Sequence, residues 1–313
     1  MGSFAAKLGY YRLIGELEIM DNVLHDEKES FTVKKLLLSF LAILVLVFSQ
    51  VIAFGIGELG VRMGIPAAIC NGVMGVVYAG VSLFGLVLLC RKGLKVLPEE
   101  CGITKPRLEI VWVVAGVLMP LLVIGILFLT PGTWINTWEK GNMDLSMILA
   151  ISTGSVCYFG FATGIVEEAV FRGVIMTALE RKWNRWVAVL VPSMIFGLLH
   201  VIGNDLDFIS ILQLFVAGTF VGILFSLVTY ESGSIWCSSF MHGIWNIFMC
   251  TGILNIGVEA DSGSIFNYVL DTKSFLISGG DFGIEASIIS VFVYILFSVL
   301  ALILCKKKSV LPI

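Results

Sequence analysis

The sequence predicts an all-α, polytopic integral membrane bundle of about eight transmembrane helices, with both termini on the cytoplasmic side. Three observations predict it. The 313 residues are 58% hydrophobic and only 14% charged, against about 25% charged in an ordinary soluble domain. Runs of about 20 apolar residues, the length that crosses a hydrocarbon core, recur along the chain. Basic residues cluster at alternate ends of those runs, as the positive-inside rule requires. The lipid bilayer is therefore the first partner. A net charge of −3 argues against nucleic acid.

Residues 1–33 read as a cytoplasmic segment, acidic through Glu16, Glu18, Asp21, Asp26, Glu27 and Glu29, with His25 solvated. The first 30 residues are polar, so the apolar run after Lys34 and Lys35 reads as an anchor rather than a signal peptide. Spans are expected near 36–57, 66–90, 110–130, 145–180, 187–203, 208–229, 235–255 and 287–305. They make a single membrane domain over 34–308. The fourth run is too long for one straight crossing, and Gly154, Gly160 and Gly164 are candidate points for a break or kink that would leave a helix beginning near Gly164. With eight crossings the clusters Lys34/Lys35, Arg91 to Arg107, Arg181/Lys182/Arg185 and Lys306 to Lys308 all fall on one side. The opposite side has Arg62, Lys140, Lys273 and an acidic, Gly/Ser-rich loop over 256–286, which includes Glu285. Trp134 and Trp138 suit an interface after the Pro131-Gly132 turn.

Lesser features have structural readings. The seven cysteines show no CxxC spacing and read as small apolar filler, with neither a disulfide framework nor a thiolate metal site. Gln50, Glu58, Asn71 and Gln213 suit hydrogen bonds between helices. Asn204, Asp205 and Asp207 read as a solvated outer loop. The chain ends Leu311-Pro312-Ile313, which is no prenylation box.

The chemistry concentrates in Gly164-Ile-Val-Glu-Glu-Ala-Val-Phe-Arg172, three ionisable side chains in an otherwise apolar run. A charge in a spanning helix costs about 2.5–3.5 kcal/mol on insertion scales, so such groups are rarely idle. Glu168 and Arg172 share a face at i,i+4 and suit an ion pair. Glu167 points about 100° away and needs a partner elsewhere. His200 and His242 also lie inside apolar spans, with Phe196 and Asn246 on their respective helix faces. Six polar groups on three helices are most simply satisfied by one shared, water-filled cavity. It is expected to open to the cytoplasm.

Glu167-Glu168-x-x-x-Arg172, Phe196-x-x-x-His200 and His242-x-x-x-Asn246 resemble, in order and type, the three motifs of the CPBP family. That group contains the CAAX prenyl endopeptidases and their bacterial homologues, also called Abi. The resemblance covers a motif core over about 145–255. It implies an intramembrane endopeptidase in a membrane, bacterial plasma membrane foremost, acting on a peptide or membrane-protein substrate that enters from the cytoplasmic side. Bacteriocin or signal-peptide processing, or immunity, are the biological settings it suggests. Catalytic roles carry over to Glu167 and His200 as the water-activating pair, to His242 and Asn246 as oxyanion donors, and to Glu168 and Arg172 as the support. Such roles suit a low-dielectric site. Glu167, His200 and His242 are also ligands enough for a catalytic zinc with one open position, although HExxH is absent; the reading leans to no tightly bound metal and predicts no other cofactor. Two rival classes are an ion- or proton-coupled transporter, disfavoured by the lack of inverted repeats, and a non-catalytic immunity or scaffold protein.

Overall fold

A computed structural model describes residues 31–138 and 143–310. The acidic segment up to residue 30, Lys140 and the last three residues lie outside them. The protein is a polytopic helical membrane protein, and a helix occupies every expected span. They are α1 (Val33–Arg62), α2 (Ala67–Leu94), α3 (Ile110–Leu127), α4 (Leu145–Lys182), α5 (Arg185–Leu199), α6 (Phe208–Ser232), α7 (Ile235–Met249) and α8 (Ile288–Lys307). Six are long and apolar enough to cross a bilayer; α5 and α7 are not. Each of those two has 15 residues, about 22 Å at 1.5 Å per residue, against a core about 30 Å thick.

Local chemistry starts the helices where they start. Asp144 Oδ1 accepts from Met147 N–H ahead of α4, and Asn184 Oδ1 from Val187 N–H ahead of α5. Asp207 does the same for Ser210 N–H at 2.6 Å ahead of α6. Asp207 is thus an N-cap rather than a merely solvated residue. Asn71 Nδ2 bonds the Ala150 carbonyl across helices, and Gln213 Nε2 the Phe275 carbonyl. Glu58 differs from expectation: it pairs with Arg62 in its own exposed turn at 2.9 Å.

The helix α4 is not broken at its glycines. It runs unbroken from 145 to 182, with π-helical turns at Gly154–Ala162 and Ala169–Ile175. Widened turns leave the glutamates on one continuous helix while reorienting its faces. The 256–286 loop also holds more structure than expected. Strands β1 (Gly132–Asn136), β2 (Leu254–Gly257) and β3 (Phe266–Leu270) form a small sheet in the order β1-β3-β2, antiparallel between β1 and β3. Trp134 rests on it, its ring 5.2 Å from Tyr268.

Packing is closest where glycines meet. A Cβ on Gly164 of α4 would lie 2.9 Å from Gly243 N and Ser239 O of α7. A Cβ on Gly218 of α6 would lie 2.6 Å from Gly197 Cα of α5. Without side chains between them, backbones approach closely and dispersion contacts accumulate. The first crossing brings together the segments that carry Glu167, Glu168 and His242, and the second packs the helix that ends at His200 against α6.

Candidate active site

The Glu168–Arg172 ion pair forms within one helical turn, Oε1 to Nη1 at 2.9 Å, with both side chains at 0% exposure. The guanidinium lies 4.6 Å from the Phe196 ring centroid and 5.6 Å from that of Phe225. Aromatic faces there replace some of the solvation a buried cation loses. The same Glu168 Oε1 lies 3.0 Å from His242 Nδ1. A carboxylate paired with arginine only accepts, so His242 Nδ1–H donates to it. This orients the ring and turns Nε2 toward Glu167, whose Oε2 is 3.7 Å away. That gap is too long for a direct hydrogen bond. Glu167 Oε2 is buried without a partner among the described residues.

His200 sits at the C-cap of α5, and its Nδ1 is 2.8 Å from the Phe196 carbonyl oxygen. A carbonyl accepts only, so Nδ1 again carries the hydrogen and Nε2 is the free nitrogen. Phe196 is the hub: its ring contacts Arg172, His200 at 4.5 Å and His242 at 5.8 Å between centroids. Asn246 Nδ2 donates to the Phe159 carbonyl on the first π-helical turn of α4 at 2.9 Å.

Glu167, His200, His242 and Asn246 all line one cavity of about 150 Å³, room for several water molecules. Glu168 and Arg172 lie behind its wall. The His242 imidazole faces Glu167 at 3.7 Å, and His200 lines the same cavity. Two further ionisable residues reach the cavity from positions read as apolar filler and as part of an acidic loop, Cys250 and Glu285. The Cys250 thiol lies 3.0 Å from Glu285 Oε2. Burial pushes the Glu285 carboxyl up from its usual range, against the Cys250 hydrogen bond and the nearby His200. One sequence signal was available: Glu285 is the lone charge between Phe282 and the lysines that close α8.

His200, Cys250, Phe282 and Glu285 stand at the helix ends and loops remote from the basic flanks. The cavity therefore lies among α4, α5, α6, α7 and α8 and extends to the ends remote from the basic flanks. Among the described residues, no three His, Cys, Asp or Glu side chains converge as a group able to hold a metal ion. Glu167, His200 and His242 do not fit a zinc centre as they stand.

The fold and this pocket define a polytopic membrane protein with acid and imidazole groups gathered in one buried cavity. Residues 149–248 match the family model described as type II CAAX prenyl endopeptidase Rce1-like. Over that third of the chain the resemblance carried by the three motifs holds. A Bacillus subtilis (strain 168) protein named "Putative membrane peptidase YdiL" is 25% identical over an alignment covering 44% of this chain and 69% of that protein. No solved structure matches the chain.

Proposed function

We propose that this chain is an intramembrane endopeptidase that hydrolyses a peptide bond with a water activated by Glu167. One observation carries the reading: Glu167 Oε2 and His242 Nε2 face each other at 3.7 Å in a shared cavity, while Glu168 and Arg172 fix the imidazole from behind. A water between acid and imidazole gives its proton to Glu167 and its oxygen to the scissile carbonyl carbon. His242, its Nδ1–H held by Glu168, turns Nε2–H to the oxyanion, and the second Nδ2 hydrogen of Asn246 joins it. His200 Nε2 shares the water's proton. The substrate is a peptide or membrane-protein segment. The Rce1-like match and the peptidase name of the Bacillus protein support a protease and a bacterial plasma membrane.

The domain runs over 34–308 around a motif core at 145–255, with 1–33 as a cytoplasmic segment and eight crossings. The basic flanks favour cytoplasmic termini. Under that orientation the cavity belongs to the outer half of the membrane, so substrate reaches it from the outer face rather than from the cytoplasm.

The test uses full-length protein in bicelles, which expose both faces, and a mixed-sequence synthetic peptide library. New amino termini are counted by mass spectrometry. Wild type is expected to generate them, and Glu167→Gln, His200→Ala and His242→Ala to lose at least about 100-fold while still folding. Equal cleavage by wild type and the three variants would overturn the reading in favour of a scaffold.

A further inference from the structure

Cutting an amide needs two proton transfers. One proton leaves the attacking water, and one must reach the leaving nitrogen, because an amide anion is too basic to depart. Glu167 is placed for the first. We propose that Glu285 is a further catalytic residue, the acid that protonates the leaving amine. The proposal rests on the endopeptidase reading above.

Three observations carry it. The Glu285 side chain lines the same cavity as Glu167 and both imidazoles. Its backbone is pinned there: Tyr294 Oη donates to the Glu285 carbonyl at 3.2 Å, and Ser290 Oγ to the Ile284 carbonyl at 2.7 Å. The chain turns inward to deliver it through Gly279, Gly280 and Gly283, at φ +81°, +65° and +107°, a left-handed run that favours glycine. A Cβ on Gly279 would collide with the Gly283 carbonyl oxygen. A solvated loop acid requires none of this.

The groups facing Glu285 are the Cys250 thiol, His200, His242, the Trp245 indole and the Tyr294 ring. No lysine or arginine is among them. Burial without a fixed cation keeps a carboxylic acid neutral, and a neutral acid can donate. Glu167 instead lies beside the His242 ring nitrogen. Two carboxyl groups in unlike surroundings are the pattern of a base and an acid. In the proposed step the water O–H bond breaks, Glu167 takes the proton, and the water oxygen bonds the carbonyl carbon as the C=O π pair moves onto oxygen. The C–N bond then breaks with its electron pair on nitrogen, which takes the Glu285 proton. Solvent afterwards removes the proton from Glu167 and returns one to Glu285.

The experiment compares a cleaved library peptide with a thioester of the same sequence, whose thiolate departs without a proton. Glu285→Gln is expected to lower kcat for the amide about 100-fold or more, with KM within about twofold, and to spare thioester hydrolysis. Equal losses on both substrates, or neither, would refute the acid role. Wild type gives a second test that needs no variant. A general acid works only while protonated, so amide kcat must fall as pH rises through the Glu285 titration, while the thioester shows no such alkaline limb. The same limb on both substrates overturns the proposal. Cleavage that requires Glu167 but ignores Glu285 defeats this inference alone; no cleavage by wild type defeats the endopeptidase reading with it.

Discussion

Arg172, Glu168 and His242 form a chain of charge in which each member has a geometric reason to be where it is. The arginine is enclosed by rings, the glutamate bridges it to the imidazole, and the imidazole presents Nε2 to Glu167. Removing one partner of a buried pair leaves the other uncompensated, at about 3–5 kcal/mol. Arg172→Ala should therefore lower stability by that order, read as a loss of thermal or denaturant resistance in bicelles. The double variant Glu168→Gln/Arg172→Met should recover much of the stability but none of the cleavage, because His242 Nδ1 then lacks its charged acceptor. The pair itself was legible from i,i+4 spacing. That His242 completes it was not, because the rotation of α7 against α4 is a tertiary fact that no single-helix pattern encodes. Glu285 escaped for a related reason: its neighbours in sequence are loop residues, and only the glycine turns bring it inward.

At the scale of elements, the site depends on how closely α4 and α7 approach. Gly164→Val adds a branched side chain where even one Cβ meets backbone at 2.9 Å. Overpacking of this kind costs about 1–3 kcal/mol, and the shift between helices should widen the His242–Glu168 contact and abolish cleavage. Gly72→Ala in α2, where a Cβ meets nothing within 4 Å, is the control and should leave both fold and cleavage intact. Element positions were readable because apolar length and basic flanks are local signals. The continuity of α4 was not, since π-helical turns stand where the glycines offered either a break or a kink. The three strands were missed because they are short and come from two loops far apart in sequence, where pairing, not hydropathy, makes them.

For the whole molecule, the questions are which face is which and from where substrate comes. With the cytoplasmic termini proposed from the basic flanks, the site would face outward. Cysteines introduced at exposed Asp205 and Lys306 test this in intact cells with a membrane-impermeant thiol reagent. Asp205→Cys should be labelled from outside beyond the background of the native thiols, and Lys306→Cys only after permeabilisation. The reverse pattern would return the cavity to the cytoplasm. The helix count has the same status as orientation: six helices are long enough on their own, and α5 and α7 cross only if something makes up their shortfall.

The lipid side of α5 says what that something is. Trp186, Leu190, Met194 and Leu198 form an exposed apolar stripe four residues apart, on a helix about 8 Å shorter than the hydrocarbon it faces. Hydrophobic mismatch of that size is relieved by thinning the adjacent leaflet. Headgroups should dip beside His200, forming a dimple through which a polar peptide backbone descends part of the way without entering oil.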